Sequence, residues 1–317
     1  MARSADVPDL VSRARNGEPR AVARLISMVE DSSPQLREVA ASLAPHVGRA
    51  HIVGLTGAPG VGKSTTTSAL VAAYRAAGKR VGVLAVDPSS PFSGGALLGD
   101  RIRMQEHALD PDVFIRSMAS RGHLGGLAWS TPQALRVLDG AGCDVILVET
   151  VGVGQSEVEV IGVADTVVVL LAPGMGDGIQ AAKAGILEIG DVFAVNKADR
   201  DGADATAREL RHMIGLGERL AGAWRPPVLK MVAARGEGID ELVAAIEKHR
   251  LWAIESGAGL VRRERRAAEE IEALAVEAVR RRLVADPAVL GGLAADVAAG
   301  LEDPYQAADR LLAAGGV

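Results

Sequence analysis

Aromatic side chains are scarce in this 317-residue chain, where Phe, Trp and Tyr together make up 3%. A core without many rings must be filled by Ala, Val and Leu, which suits closely packed helices and parallel strands better than a β-sandwich. Cysteine is nearly absent as well, Cys143 being the single one. One thiol excludes an internal disulfide framework and fits a reducing cytoplasm. Cys143 precedes an apolar run, so its expected role is packing rather than metal binding. A basic excess is missing too: the formal net charge is -5, which argues against a nucleic-acid binder. No apolar run approaches the length of a membrane span, Thr166–Ala172 being the longest, and the N-terminal stretch lacks the apolar core of a signal peptide.

What is present is 48% apolar residues, enough for one large α/β domain of roughly 200 residues with helical additions. Residues 1–48 show helical spacing (Leu10, Ala14, Val22, Leu25, Ile26, then Val39, Leu43, Val47), with breaks at Gly17, Pro19 and Ser32-Ser33-Pro34. Residues 49–250 alternate short β-branched runs with helical stretches. The runs are HIVGLTG, KRVGVLAVD, DVFIRSM, CDVILVET, DTVVVLLA, DVFAVNK and PPVLKMVA. Continuous apolar strands between helices predict a mostly parallel sheet covered on both faces. Residues 251–317 return to helix: one long, charged segment, then two short ones set off by Asp286-Pro287 and Asp303-Pro304.

GAPGVGKST, residues 57–65, fits the phosphate-loop pattern G-x-x-x-x-G-K-[ST] and lies between a strand and a helix. Gly57, Gly60 and Gly62 let the backbone of Ala58, Pro59 and Val61 curl so that N–H groups face phosphates. The helix that starts at Lys63 adds the positive end of its dipole, together with the N–H groups of Ser64 and Thr65. Lys63 would reach the β- and γ-phosphates, and the Ser64 hydroxyl would ligate Mg2+. A dinucleotide loop would need G-x-G-x-x-G and has no use for the lysine, so a Rossmann reading is discarded.

NKAD, residues 196–199, ends a later strand. A carboxylate at Asp199 can accept from N1–H and the 2-amino group of guanine, a donor pair that adenine lacks. Asn196 would bond the base edge and tie the motif to the phosphate loop, and the Lys197 stem would pack over the ring. Ala233-Ala234, after the next strand, would offer a backbone N–H to guanine O6. Acids at Asp87, Asp100 and Glu149 stand at strand ends or in loops where a magnesium and water shell would lie, and the Gly152 N–H would sense the γ-phosphate. With Lys63, Asp100 and Glu149 as the catalytic set, no strong general base is evident. That fits phosphoryl transfer, in which positioning and charge stabilisation dominate. The expected ligands are GTP or GDP with Mg2+, and the expected reaction is attack of water on the γ-phosphate.

GLTGAPGVGKST, VLAVDPSSPFSGGALLGDRIRM, FIRSMASRGHLGGLA, ILVETVGVGQSE and LLAPGMGDGIQAAKAGILEIGDVFAVNKAD resemble the MeaB/ArgK family of P-loop GTPases, over nearly the whole chain. The resemblance implies a homodimer held mainly by the C-terminal helices. It also implies GTP-dependent gating of cofactor loading to adenosylcobalamin-dependent methylmalonyl-CoA mutase, with protection of that enzyme. By the same resemblance Gly174–Lys183 is a third switch, with Asp177, Gln180 and Lys183 as its polar positions. His123 falls in a family-like segment. Ala58 stands where related ATPases carry an extra lysine.

Three other readings remain open in the sequence. One is a kinase or ATPase linked to amino-acid uptake, which the guanine motif opposes. Another is a GTPase delivering metal, which the scattered His51, His107, His123, His212 and His249 and the lone cysteine oppose. The third is a scaffold that binds GTP and barely hydrolyses it. The Arg262–Arg266 and Arg280–Arg282 clusters, interleaved with Glu264, Glu269 and Glu270, read as a solvated helix face or a dimer arm.

Overall fold

The structure, a computed structural model, describes residues 6–88, 104–107, 109–120, 130–150, 162–174, 187–216, 222–284 and 286–315. Residues 1–263 and 264–317 form two compact units. In the first, helices α1 (Val7–Arg15), α2 (Pro19–Glu30) and α3 (Leu36–Leu43) precede β1 (His51–Thr56) and α4 (Lys63–Ala76). Then come β2 (Val81–Pro88), β3 (Val113–Ser120), α5 (Ser130–Gly140), β4 (Val145–Thr150), β5 (Thr166–Leu171) and β6 (Val192–Val195). The unit closes with α6 (Ala203–Leu216), β7 (Val228–Lys230), α7 (Ile239–Glu255) and the first turn of α8 (Ala258–Leu283).

The described strands form a seven-stranded sheet in the order β3-β2-β4-β1-β5-β6-β7, every neighbouring pair parallel. Alternation along the strands sorts the core into two layers. Ile52, Leu84, Ile146, Val167 and Phe193 face a layer built from α1, α2, α3, α5 and α6. Val53, Val83, Leu147, Val168 and Ala194 face the layer of α4 and α7. The sheet is therefore buried on both faces, which is why its strands read as continuous apolar runs. β7 is shorter than the run PPVLKMVA predicts. Pro226 and Pro227 have no N–H to give to a ladder, and β7 is the outermost strand, paired only with β6 among the described residues.

Two breaks read in the sequence as Asp-Pro prove to be helix starts. Asp286 accepts the Ala288 N–H at 2.9 Å at the head of α9 (Pro287–Ala298), and Asp303 accepts the Tyr305 N–H at 2.8 Å at the head of α10 (Pro304–Gly315). Each pairs an N-cap acid with a proline whose missing N–H is no loss in the first turn. In the second unit Leu293 and Ala307 are buried, while Ile271, Leu274, Val276, Leu290, Leu301 and Leu312 are exposed.

Arg262 and Arg263 are half-buried rather than fully solvated. Arg262 grips Asp191 through both terminal nitrogens at 2.8 and 3.1 Å, and Arg263 reaches Asp165 at 3.2 and 3.1 Å. Asp165 and Asp191 sit just before β5 and β6, at the end of the sheet away from the phosphate loop, so the basic cluster is split between buried and exposed partners. Burial pushes the Asp191 carboxyl up, but contacts with His249 and Arg262 outweigh it and hold the group below the usual carboxylate range. Beside them the Thr166 hydroxyl lies 2.8 Å from His51 Nε2 and 2.8 Å from His249 Nδ1, joining two histidines that are far apart in sequence. Among the described residues no helix is long and apolar enough to cross a membrane.

Candidate functional site

The phosphate loop runs from the carboxyl end of β1 into α4, at the centre of the sheet, where ligands of open α/β sheets bind. Its glycines are required by geometry. Gly57 has φ +141°, and a Cβ there would strike the Leu170 carbonyl oxygen. Gly62 has φ +97°, caps α4, and leaves space taken by the Asn196 side-chain amide. The Lys63 ammonium folds back into the loop, donating to the Gly57 carbonyl oxygen and, at 3.2 Å, to that of Ala58. Its charge is thus held over the concave face of the loop. Pro59, Gly60 and Thr65 are exposed, and Val61 is buried as the anchor of the loop.

Glu149 lies one residue before the end of β4, paired in register with Leu55 of β1 and Ala85 of β2. It is 1% exposed, and alternation turns it to the α4 side. There the Ser64 hydroxyl donates to Glu149 Oε1, and the Thr67 hydroxyl donates to Oε2 at 2.8 Å. Thr67 is a residue that the motif reading missed. The signal was available, since Thr67 follows Ser64 by three positions and shares its helix face. A hydroxyl and a carboxylate side by side at a helix N-terminus form a hard-oxygen donor set, which fits Mg2+, an ion that keeps several waters and takes one or two carboxylates. Among the described residues no group of three or more His, Cys, Asp or Glu gathers as a metal site.

The base motif is fastened to the phosphate loop. Asn196 is buried, donates through Nδ2 to the Val61 carbonyl oxygen at 2.8 Å and accepts the Ala233 N–H at 3.0 Å. Lys197 adopts φ +56°, a left-handed conformation unusual for a side-chain-bearing residue, and its ammonium donates to the Gly60 carbonyl oxygen at 2.7 Å. The Asn196 side chain therefore joins three loops, those after β1, β6 and β7. Asp199 is exposed at the rim, and Arg235 donates to its Oδ2 at 3.0 Å. That contact is solvated and adds little stability. The Ala233 N–H is engaged by Asn196, and Ala234 is the exposed member of the pair.

Of the remaining expected site residues, Asp87 lies in β2, two positions beyond Ala85, the register partner of Glu149, with its side chain outside the described residues. Asp100, Gly152, Asp177, Gln180 and Lys183 lie outside the described residues, as does His123. A cavity of about 570 Å³ exists elsewhere, lined by Trp224, His249, Trp252 and Arg262. It sits at the opposite, amino-terminal ends of β5 and β6 and contains no residue of the phosphate loop. At the loop cluster, by contrast, the phosphate-loop backbone, Lys63 and Glu149 come together.

Residues 22–288 match the family described as methylmalonyl Co-A mutase-associated GTPase MeaB. The chain belongs to this family. Members are P-loop GTPases, so guanine-nucleotide binding and GTP hydrolysis hold at the level of the family. The chain is 46% identical over 310 residues to a Pyrococcus horikoshii protein named provisionally as a GTPase, covering 96% of this chain and 97% of that one. It is 38% identical to the Escherichia coli GTPase ArgK over 78% of this chain and 76% of ArgK. It is 35% identical to the mouse protein named methylmalonic aciduria type A homolog, mitochondrial, over 94% of this chain and 77% of the mouse protein. Among solved structures, one described as LAO/AO transport system kinase superposes with a TM-score of 0.73 at 26% identity, covering 98% of each chain.

Proposed function

We propose that this chain binds GTP with Mg2+, hydrolyses it by in-line attack of water, and acts as a chaperone of adenosylcobalamin-dependent methylmalonyl-CoA mutase, gating cofactor loading and protecting the mutase. The observation that carries the nucleotide reading is Asn196 bridging Val61 and Ala233, which assembles phosphate cradle and base motif into one site. The partner is supported by the family's description, and the mouse relative's name refers to methylmalonic aciduria.

In this reading the loop N–H groups and Lys63 hold the phosphates. Lys63 exchanges its contacts with the Gly57 and Ala58 carbonyls for phosphate oxygens, so a pre-positioned charge meets the developing negative charge. Asp199 accepts the two guanine donors, and Ala234 rather than Ala233 offers its N–H to O6. Ser64 and Glu149, with Asp87 and Asp100, hold the ion and its waters. Held there, Mg2+ would supply neutralisation of phosphate charge. Gly152, Asp177, Gln180 and Lys183 belong to switch segments that respond to the γ-phosphate and to the mutase. The apolar residues exposed on α8, α9 and α10 support a homodimer through the C-terminal helices. The division into residues 1–48, 49–250 and 251–317 assigns them an N-terminal extension, the GTPase domain and the dimerisation region. A cytoplasmic setting completes the proposal.

The test is phosphate release from GTP with Mg2+, measured with and without purified methylmalonyl-CoA mutase, with ATP as control. Stimulation of GTP hydrolysis alone supports the chaperone reading. Hydrolysis of GTP without stimulation removes the mutase as partner and leaves the GTPase. Transfer of phosphate to an acceptor instead of water identifies a kinase, the activity carried in the name of the solved relative.

A further inference from the structure

We infer that Thr67 is a positioning residue for the metal: it fixes the rotation of the Glu149 carboxylate so that Oε1 stays turned to Ser64 and the Mg2+ position. The inference rests on the proposed Mg2+-dependent GTPase and adds a residue to it.

A carboxylate rotates about its terminal bond with little intrinsic preference, because that torsion is broad and two-fold. Buried at the centre of the sheet, Glu149 has to be held by donors rather than by its own rotamer. Ser64 holds Oε1, but the Ser64 hydroxyl is also the group that has to turn a lone pair to the ion. The second oxygen needs an independent anchor. Thr67 provides it at 2.8 Å, from a residue that is itself fully buried one turn along α4. The Thr67 hydroxyl also lies 3.1 Å from the Lys63 carbonyl oxygen. With one proton to give, it favours the nearer, charged acceptor. Its β-branched side chain has few rotamers in a helix, so the anchor is stiff. Among the described residues its hydrogen-bond acceptors are the Lys63 carbonyl oxygen and Glu149, and it acts on the ion through Glu149.

The experiment follows release of a fluorescent GDP while Mg2+ is titrated, for the wild type, Thr67→Val and Thr67→Ser, with thermal melts of each. Thr67→Val keeps the volume and removes the donor. The Mg2+ concentration at half effect is expected to rise about tenfold or more, the usual consequence of losing a partner behind a metal ligand. Thr67→Ser keeps the donor and is expected to stay near the wild type. All three are expected to bind GDP alike in EDTA. Thr67→Ala takes the place of Thr67→Val if the latter does not fold. A folded Thr67→Val or Thr67→Ala with the wild-type midpoint overturns the inference, and so does a Thr67→Ser shift as large as that of Thr67→Val, which would mark a packing role. A wild type that binds GDP without any response to Mg2+ overturns the metal reading itself, and the inference with it.

Discussion

Asn196 donates its side-chain amide to the Val61 carbonyl oxygen at 2.8 Å, across 135 residues of chain. The loop that reads the base is thereby locked to the loop that holds the phosphates. Asn196→Ala removes that bond and also leaves the buried Ala233 N–H without its acceptor. Stability is expected to fall by about 1–3 kcal/mol, and GDP affinity to fall with it. Urea unfolding and calorimetric binding on the same samples check this. A loss of binding with unchanged stability would show that the bond matters only for the ligand.

Lys63→Ala is expected to lower GTP hydrolysis roughly 100-fold or more while the fold persists, because it removes the charge that meets the phosphates. Far-UV circular dichroism and phosphate release together check it. Normal turnover in a folded variant contradicts the role of Lys63.

Asp199→Asn reverses the donor and acceptor pattern presented to the base. GTP affinity is expected to drop at least ~100-fold, and xanthosine triphosphate, whose edge is complementary, to bind better than GTP. Competition against a fluorescent nucleotide reads the ratio. Unchanged selectivity means that the base is read by other residues.

His51 sets a pH dependence that is independent of nucleotide. Burial pushes its imidazole down to about 4, with the Arg250 charge acting in the same direction and Asp165 opposing both. The folded state therefore keeps His51 neutral where the unfolded chain takes up a proton. Stability is full above the unfolded value of about 6.5 and falls as pH drops from there towards 4, by up to ~3 kcal/mol. His51→Gln is expected to flatten that part of the curve. Denaturant unfolding between pH 7 and 4 measures it, and equal slopes for the two proteins would assign the acid sensitivity to another group.

The phosphate loop was legible because its pattern is local: Gly57, Gly60 and Gly62 take positive φ within one short turn, and the lysine and serine follow at fixed spacing. The strands were legible as apolar runs because both faces of the sheet are covered. Asp286 and Asp303 were readable as breaks, although the same Asp-Pro pairs act as caps. Contacts made by distant segments were not legible. Nothing in the arginine-rich stretch distinguishes Arg262, which turns inward to Asp191, from Arg265, which pairs 3.5 Å from Glu269 on the same helix. Only the order of strands places Asp165 and Asp191 beneath the start of α8. Histidines that look scattered in sequence meet at Thr166 for the same reason.

The central claim is that the loops joined by Asn196 form a guanine-specific, metal-dependent hydrolytic site. Initial rates of phosphate release from GTP and from ATP, each with Mg2+ and with EDTA, test it most directly. The account predicts release from GTP with Mg2+ and little from ATP or in EDTA. Equal rates for the two nucleotides, or release unaffected by EDTA, would contradict it.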